Sequence, residues 1–279
     1  MNKKRTGVNI AVDVVKYAIL IAGALITLLP FVYMILSALK TNAEIRSIPP
    51  VFFPASPQFV NFVTAWNSAP FGRYFFNTIF VAVVDTLGVL ATTILASFAF
   101  ARLEFPGKKV VFMLFLATMM VPSEMLVITN YMTISKLHWI DTYQAMIVPW
   151  LASVFNIYLL TQFFSSVPDA LYLAAKADHC HDFKYMCKVM VPMNRGPIMT
   201  VAILNFIASW NSFMWPLLVT NSREMRVLSY GLVSFQTEEG ARTELIMAAS
   251  CLMVLPIIVI YLFMRDTIIN GVTQGGIKG

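Results

Sequence analysis

The sequence predicts an all-α membrane protein with six transmembrane helices and one helical loop on the cytoplasmic side. Hydrophobic residues make up 58% of the 279 residues and charged residues only 12%, whereas soluble domains carry about 25% charged residues. Several uncharged runs also reach the length of about 20 residues that a helix needs to cross a bilayer. Such runs favour helices over a β-barrel, whose strands would be short and alternating.

The predicted spans follow these uncharged runs, and two of them contain one carboxylate each. Asp85 lies in the second span and Glu124 in the third. Intramembrane carboxylates are costly, so both residues are candidates for a functional role. The six spans are Tyr17–Leu39, Tyr74–Ala101, Val110–Ser135, Thr142–Val167, Gly196–Ser222 and Leu245–Met264.

The first run is too long for the apolar core of a signal peptide, which has about 7 to 15 residues, and it is predicted to stay as a helix. A long proline-rich connection follows, from Lys40 to Arg73, and it is expected to form a short external cap. Lys and Arg are more frequent in the segments that lie inside when both termini are cytoplasmic, and this bias fixes the predicted orientation. The net charge of +6 is therefore a topological signal, and no basic stripe indicates nucleic-acid binding. The whole chain, 1–279, is predicted to be one transmembrane domain.

Residues 168–192, called the charged segment below, interrupt the apolar sequence with Asp, Lys and His. Pro168 is expected to start a first helix, and a second helix is expected from His181 or Asp182 to Met190, with a bend at "DHC" between them. Spacing predicts one apolar face on the second helix, made of Phe183, Met186, Cys187 and Met190. Such a pair of helices could lie on lipid or fill a groove on a soluble partner.

The charged segment resembles the coupling loop of permease subunits in bacterial ABC importers. Its Pro168, Ala174, Ala175, Asp178 and Pro192 have the spacing of the signature P-x-x-L-x-E-A-A-x-x-D-G-A…P. The likeness extends to the carbohydrate branch of the family, the maltose-type inner-membrane components, through "LLPFVYMILSALK" at Leu28, "FAFARLEFPGKK" at Phe98, "MMVPSEM" at Met119, "WNSFMWPLL" at Trp210 and "NGVTQGGIKG" at Asn270.

The resemblance implies a type I importer permease in the bacterial cytoplasmic membrane, which moves a sugar or related polyol by ATP-driven alternating access. It implies that the charged segment docks on an ATPase subunit through Ala174, Ala175, Asp178, His179 and Phe183. The implied partners are a second permease subunit, two ATPase subunits that bind ATP and Mg²⁺, an extracytoplasmic solute-binding protein and the lipid bilayer. The chain itself is expected to be no enzyme and to hold no cofactor, and it lacks G-x-x-x-x-G-K-[ST], H-E-x-x-H and G-x-S-x-G motifs.

Three positions of the charged segment depart from the family signature. Leu173 replaces Glu, which removes a possible ion pair with the ATPase, and His179 and Cys180 replace Gly and Ala. Glycine would allow a left-handed bend at no steric cost, which His tolerates less well. The His and Cys residues are not predicted to bind a metal, because Cys180 and Cys187 would lie about 10.5 Å apart along a helix and zinc–sulfur bonds are about 2.3 Å.

Six residues are candidates for the substrate path, and packing between helices is the alternative for each. Trp210 and Asn211 combine an aromatic face and an amide, which suit the C–H face and hydroxyls of a sugar. The other candidates are Asp85, Glu124, Asn130 and Tyr131. An alternative function is an ion-coupled secondary transporter in which Asp85 or Glu124 titrates, but the sequence shows no inverted repeat with Gly-interrupted half-helices.

Overall fold

The protein is helical almost throughout in a computed structural model that describes residues 7–237 and 240–276. Within these ranges the only β-structure is a two-residue antiparallel ladder, in which Gln236–Thr237 (β1) pairs with Gly240–Ala241 (β2). The predicted all-α class is confirmed. The orientation prediction places both chain termini inside, and the terminal residues 1–6 and 277–279 lie outside the described residues.

The α-helices vary from three residues to more than thirty in length. They are α1 (Gly7–Ala38), α2 (Asn42–Ile45), α3 (Val60–Asn67), α4 (Phe71–Arg102), α5 (Lys108–Thr118), α6 (Val127–Lys136), α7 (Tyr143–Ile147), α8 (Val154–Ser165), α9 (Asp169–Ala177), α10 (Asp182–Tyr185), α11 (Val191–Met193), α12 (Arg195–Trp210), α13 (Met214–Val219), α14 (Leu228–Gly231) and α15 (Thr243–Gly276). Short 3₁₀ turns occur at Ser123–Leu126, Val148–Trp150 and Leu232–Phe235, and a π-helical turn occurs at Met186–Met190.

Three helices of the described chain are long and apolar enough to cross a membrane: Val12–Ala38, Phe71–Arg102 and Thr243–Leu262. They confirm the first, second and sixth predicted spans. The fourth predicted span is a bent pair, Tyr143–Trp150 and Val154–Ser165, with an angle of 46° between its parts. The third and fifth predicted spans are each divided into shorter helices.

A proline lies at or within a few residues of each of these interruptions. Proline lacks the backbone N–H that continues a helix. Pro122 precedes the 3₁₀ turn that separates α5 from α6, Pro149 lies in the turn between α7 and α8, and Pro216 lies in α13. Pro30 and Pro256, by contrast, lie inside continuous helices. Proline alone therefore does not decide where a span breaks.

By its internal contacts the chain forms two compact units, Met1–Ala69 with Leu232–Leu255 and Pro70–Gly231 with Pro256–Gly279. In the first unit, the residues after α1 are folded back by buried polar contacts. The Lys40 Nζ donates to the Val51 carbonyl oxygen at 2.6 Å, and the Asn61 Nδ2 donates to the carbonyl oxygens of Ala38 and Lys40 at 2.9 and 2.8 Å. The predicted proline-rich cap is therefore an ordered structure.

In the second unit, α4 packs against both α8 and α12. Small residues of α4 allow this close approach, as is usual between helices in membranes. A Cβ atom on Gly88 would overlap the Leu151 side chain, and the Ser97 Oγ donates to the Ile157 carbonyl oxygen at 2.9 Å. One apolar core forms at the Arg102 end of α4, from Phe98, Leu160, Phe164, Val167, Tyr185, Met186, Met190 and Ile198. A second core contains Val81, Ile134, Ala145, Met146, Ile147, Trp215, Val219 and Val227.

Candidate functional site

The charged segment begins with the helix that the sequence predicts. Pro168 precedes α9, and Asp169 occupies its first turn, where a carboxylate interacts favourably with the helix dipole. Ala174 and Asp178 are exposed, and Ala175 is half-buried against the apolar core at the Arg102 end of α4. The exposed face of α9 thus carries two of the residues for which the resemblance implies docking.

The bend after α9 is a left-handed turn at His179, whose φ is 55°. The Cys180 N–H donates to the Ala175 carbonyl oxygen at 2.9 Å, and the His179 N–H donates to the Lys176 carbonyl oxygen at 3.0 Å. This pattern is a Schellman motif, which ends a helix by satisfying its last carbonyl groups. The left-handed conformation expected from glycine in the signature is therefore present here with histidine in its place.

The second half of the charged segment differs from its prediction in one respect. A helix begins at Asp182, as expected, but the four predicted apolar residues do not share one face, since Met186 and Met190 are buried whereas Phe183 and Cys187 are exposed. The π-helical turn at Met186–Met190 changes the angular spacing that the prediction assumed. Phe183, 68% exposed, is left as an apolar side chain on the surface of the segment.

Asp182 connects the two helices of the charged segment. Its Oδ1 accepts hydrogen bonds from the Tyr172 hydroxyl and from the Lys176 Nζ, both at 2.7 Å. The bond from Lys176, and then that from Tyr172, lower the pKa of the Asp182 carboxyl, and the same contact with Asp182 raises the pKa of Lys176. The carboxylate therefore stays charged and holds α9 and α10 together across the turn.

Arg102, at the end of α4, fixes the charged segment to the helix bundle. Its buried guanidinium donates to the carbonyl oxygens of Phe164 and Val167 and pairs with the Asp169 carboxylate. Arg102 thus satisfies carbonyl groups at the end of α8 and contacts the first residue of α9. Sequence reasoning used this arginine only as a positive charge for topology, although its place at the end of a span before a tight turn was visible.

Aromatic rings extend this connection. Phe98, on the last part of α4, lies 6.5 Å from the Tyr172 ring and 6.4 Å from the Tyr185 ring, and the two tyrosine rings are 5.1 Å apart. Tyr172 belongs to α9 and Tyr185 to α10, so both helices of the charged segment contact the same side chain of α4. A displacement of the segment would be transmitted directly to α4.

A second candidate region is a cavity of about 480 Å³ in the unit that contains α4. Its size is that of pockets for small ligands. It is lined by Thr78, Val81, Asp85, Glu124, Val127, Met146, Trp150, Ala152, Ser153, Asn205, Ala208, Ser209, Trp210, Ser212, Phe213, Met214, Trp215, Pro216 and Val227. The set contains two carboxylates, three indole rings and several hydroxyl groups.

Asp85 lies in this cavity wall, with 6% of its surface exposed. Its Oδ2 accepts a hydrogen bond from the Asn205 Nδ2 at 3.0 Å, and the same amide nitrogen lies 3.4 Å from the Thr86 Oγ1. The Ser209 hydroxyl is near enough to interact with the carboxylate. The Asp85 Oδ1, however, makes no hydrogen bond to any residue that the structure describes.

The indole rings of the cavity wall are held in place by their neighbours. The Trp215 Nε1 donates to the Ala145 carbonyl oxygen at 2.8 Å, and its ring meets that of Trp150 edge to face at 5.6 Å. Trp210 packs against Phe75 at 5.8 Å. These contacts give the cavity a rigid aromatic side.

The structure brings three of the six predicted substrate-path residues to the cavity: Asp85, Glu124 and Trp210. Asn130, Tyr131 and Asn211 are not among its lining residues, and the Asn211 Nδ2 donates instead to the Ile207 carbonyl oxygen of its own helix at 2.9 Å. Sequence reasoning missed Asn205, Trp150 and Trp215. Asn205 could have been found as an amide in the middle of an apolar run, because polar residues there are rare.

Comparison with known proteins places this arrangement among transport proteins. A family model described as "Binding-protein-dependent transport system inner membrane component" matches residues 86–274. The arabinooligosaccharides transport system permease protein AraQ of Halalkalibacterium halodurans is 29% identical over 92% of this chain and 93% of its own length. A putative ABC transporter permease protein of a Caldicellulosiruptor species is 31% identical over 94% of this chain and 96% of its own. The sn-glycerol-3-phosphate transport system permease protein UgpE of Yersinia enterocolitica is 27% identical, over 94% of this chain and 96% of its own.

Two solved structures share the fold. A chain in the crystal structure of a bacterial ABC transporter involved in the import of the acidic polysaccharide alginate superposes with a TM-score of 0.81 at 20% identity, over 95% of this chain and 99% of that chain. A chain of the bacterial alginate ABC transporter in complex with alginate pentasaccharide-bound periplasmic protein gives a TM-score of 0.67 at 17% identity, with the same coverage.

Proposed function

Because this chain belongs to the family of binding-protein-dependent transport system inner-membrane components, we propose that it is a permease subunit through which a bacterial ABC importer moves a sugar or related polyol across the cytoplasmic membrane. Relatives named for arabinooligosaccharides and diacetylchitobiose support the sugar, and those named for sn-glycerol-3-phosphate support a related polyol. The chain itself carries out no covalent chemistry in this proposal.

The observation that carries the proposal is the way in which Arg102 joins the charged segment to α4. The exposed face of α9, with Ala174 and Asp178, is free to bind a soluble partner, while the opposite face is fixed through Arg102, Phe98 and Tyr185. A force applied to the exposed face therefore reaches the longest helix of this unit. We propose that this face, together with His179 and Phe183, docks on an ATPase subunit at the cytoplasmic side.

ATP-driven alternating access follows from this arrangement as the proposed mechanism. Two ATPase subunits, which bind ATP and Mg²⁺, would close on nucleotide binding and contact the charged segment differently in their open and closed states. Only such differential contacts can shift the balance between two conformations of the permease. A second permease subunit would complete the pathway, and an extracytoplasmic solute-binding protein would deliver the sugar, with both termini of this chain on the cytoplasmic side.

Leu173 and His179 modify this docking surface relative to the family signature. Leu173 is 66% exposed, so an apolar side chain stands where the signature places a carboxylate. We propose that the ATPase surface opposite Leu173 and Phe183 is correspondingly apolar. The main contact would still come from α9 and the turn at Asp178, where His179 has the left-handed conformation that glycine would allow.

Ion-coupled secondary transport is a second candidate, favoured by the buried carboxylate of Asp85 in the cavity wall. A carboxylate of this kind could carry a coupling proton. The two candidates differ in their source of energy, since a secondary transporter needs a proton gradient and no ATPase. Uptake by this chain alone, driven by a gradient, would establish the second candidate.

The test is uptake into proteoliposomes that contain the complete set of subunits, with the solute-binding protein outside and ATP inside. We expect uptake of a labelled sugar to require ATP and to be lost in Asp178→Lys, because the reversed charge lies at the exposed turn that docks. Glu104→Lys is the matched control, since it makes the same charge change at an exposed residue of the neighbouring loop, with 91% of its side chain exposed. Uptake that persists without ATP would contradict the ATP-driven importer. Equal loss of uptake in both variants would contradict the proposed docking.

A further inference from the structure

The cap that follows α1, residues 40–69, exposes an apolar surface that carries no charge. Residues 47–69 contain no Asp, Glu, Lys, Arg or His. The exposed large apolar side chains of the cap are Ile48, Val51, Phe52, Phe53, Phe59, Val60, Val63 and Trp66. Single apolar side chains are common on protein surfaces, whereas a group of this size marks a surface that contacts something other than water.

The helix of the cap, α3, turns its apolar side away from the protein. Phe59, Val63 and Trp66 follow each other at helical spacing and are exposed, whereas Asn61 and Ala65 on the opposite side are buried. A helix on the surface of a soluble protein has the reverse arrangement, with its apolar stripe towards the core. The outer side of α3 is therefore suited to an apolar medium.

The three charged side chains of the cap all contact the protein itself. Lys40 is buried and donates to the Val51 carbonyl oxygen at 2.6 Å. The Glu44 carboxylate accepts from the N–H groups of Thr41 and Ala55, both at 2.8 Å. Arg46 donates to the Ala241 carbonyl oxygen at 3.3 Å. These contacts leave the apolar stripe of the cap without a charged side chain among residues 47–69.

The end of α1 fixes the depth of the cap in the membrane. Lys16 and Lys40 bracket the apolar part of α1 and lie about 36 Å apart at the helical rise, which exceeds the hydrocarbon core of about 30 Å. The Lys40 Nζ lies 5.1 Å from the centre of the Tyr33 ring, and both residue types are typical of the membrane–water boundary. The backbone of Gln58 and the side chain of Asn61 are hydrogen-bonded to the last residues of α1. The cap is therefore held at the level of the lipid headgroups.

Lipid fits this surface better than a protein partner does. The apolar side chains of α1 are exposed around its whole circumference, and a neighbouring helix contacts only one face of another, so lipid covers the rest. The cap continues this lipid-facing surface at the Lys40 end. Interfaces of transient protein complexes are on average no more apolar than other surfaces and are enriched in arginine. An uncharged aromatic stripe does not match that description.

We propose that the exposed stripe of the cap, made of Phe59, Val63 and Trp66, lies in the lipid headgroup layer and anchors the cap to the membrane surface. In the proposed orientation this is the outer leaflet. The Asn42 Nδ2 donates to the Glu244 Oε2 at 2.7 Å, so the anchored cap also holds the start of α15. Aromatic and apolar side chains of an amphipathic helix bind such a layer by inserting between headgroups. This inference goes beyond the proposed function and does not depend on ATP or on the sugar.

The experiment places a photoreactive residue at Phe59 or Val63 in the complete transporter. The nanodiscs contain phosphatidylcholine and phosphatidylglycerol, and the solute-binding protein is added. Leu25, exposed in the middle of α1, is the control for lipid contact, and Ala43, exposed on α2 beside Glu44, is the control outside the stripe. Mass spectrometry of this chain separates lipid adducts from crosslinks to another subunit.

We expect lipid adducts at Phe59 and Val63 with a yield close to that at Leu25 and several times that at Ala43. The yield should be the same in nanodiscs of phosphatidylcholine alone, because the stripe carries no charge that would select anionic lipid. A main product joined to the solute-binding protein or to the second permease subunit would overturn the inference. A lipid yield no higher than that at Ala43 would overturn it too.

Fluorescence of Trp66 gives an independent measurement of depth. The difference between the emission of the wild type and that of Trp66→Phe isolates this residue in the assembled transporter. Lipids brominated near the headgroup should quench the difference signal more strongly than lipids brominated near the end of the acyl chain. Equal quenching by both lipids, or quenching by neither, would contradict a position in the headgroup layer. Because neither measurement uses ATP or sugar, failure of the proposed function would not change either result.

Discussion

The middle and the C-terminal end of one helix, α4, show two different uses of a buried charge. Arg102 pairs with Asp169 and donates to the carbonyl groups of Phe164 and Val167, although its Nε makes no hydrogen bond among the described residues. Asp85, also buried, has Asn205 on one oxygen and no hydrogen-bond partner on the other among the described residues. Arg102 has an opposite charge beside it and serves to fix a structure, whereas the half-paired Asp85 has no cationic partner among the described residues and is a candidate for a functional role.

The largest expected effect comes from removal of the paired charge. Arg102→Ala removes the guanidinium donor from the Val167 carbonyl and one of the donors of the Phe164 carbonyl, which keeps the Val167 N–H at 3.3 Å, and it removes the partner of Asp169. We expect the free energy of unfolding to fall by about 3 kcal/mol. Thermal melting of the purified protein in detergent measures the change. Asp169→Asn should have a small effect, because that carboxylate is 84% exposed. A melting temperature for Arg102→Ala equal to that of the wild type would mean that this end of α4 is not anchored by the arginine.

Removal of the half-paired charge should act in the opposite direction. Asp85→Asn removes a buried carboxylate that is incompletely solvated, and we expect the free energy of unfolding to rise by about 1 kcal/mol. The same melting experiment measures this change. Asn205→Ala is the matched variant. It should lower the free energy of unfolding, because it removes the amide that donates a hydrogen bond to the Asp85 carboxylate. A loss of stability in Asp85→Asn as large as that in Arg102→Ala would show that the two charges serve the same purpose.

The left-handed turn at His179 ends α9, the helix that Arg102 anchors through Asp169. A residue other than glycine in the left-handed region costs about 1 kcal/mol, so His179→Gly should raise the melting temperature slightly, whereas His179→Val should lower it. Hydrogen exchange at the amides of His179 and Cys180, which donate to the last carbonyls of α9, reports on the same turn. Faster exchange in the glycine variant would contradict the assigned strain.

The smallest expected effect is a pH dependence at Asp182. Its folded-state pKa is lowered by Lys176 and Tyr172, so its contribution to stability is present above the unfolded pKa of about 4 and is lost as the pH falls through the lower folded value. Amide exchange between α9 and α10 should therefore increase below about pH 4. Asp182→Asn should show the increased exchange already at neutral pH, and an unchanged acid response in that variant would assign the effect to another group.

The sequence predicted the parts of the fold that depend on local composition. The long helices α1, α4 and α15 were visible as uncharged runs, and the first helix of the charged segment was visible from Pro168 and its helix-forming residues. The breaks at Pro122, at Pro149 and between α12 and α13 were not distinguished from the continuous helices at Pro30 and Pro256. Whether a helix continues past proline depends on the groups that satisfy its free carbonyls, and these come from other elements.

The candidate sites were predicted only in part for a similar reason. Asp85 was visible as a carboxylate in an apolar run, but its partner Asn205 is 120 positions away along the chain, and only the packing of α4 against α12 brings them together. Arg102 was counted as one of many basic residues, since nothing local indicates that its guanidinium is buried at the end of α8. The left-handed turn was anticipated from the signature, and the structure places His179 in it.

The most direct test of the account is site-specific photo-crosslinking in the assembled transporter. Photoreactive residues at Ala174, Asp178 and Phe183 should capture the ATPase subunit, and their yield should change when ATP is added, because contacts with the charged segment must differ between the two states. The same probe at Glu104, an exposed position of the neighbouring loop, serves as the control. Capture at the three positions well above that at Glu104 is the expected result, and no ATPase capture at any of them would contradict the account.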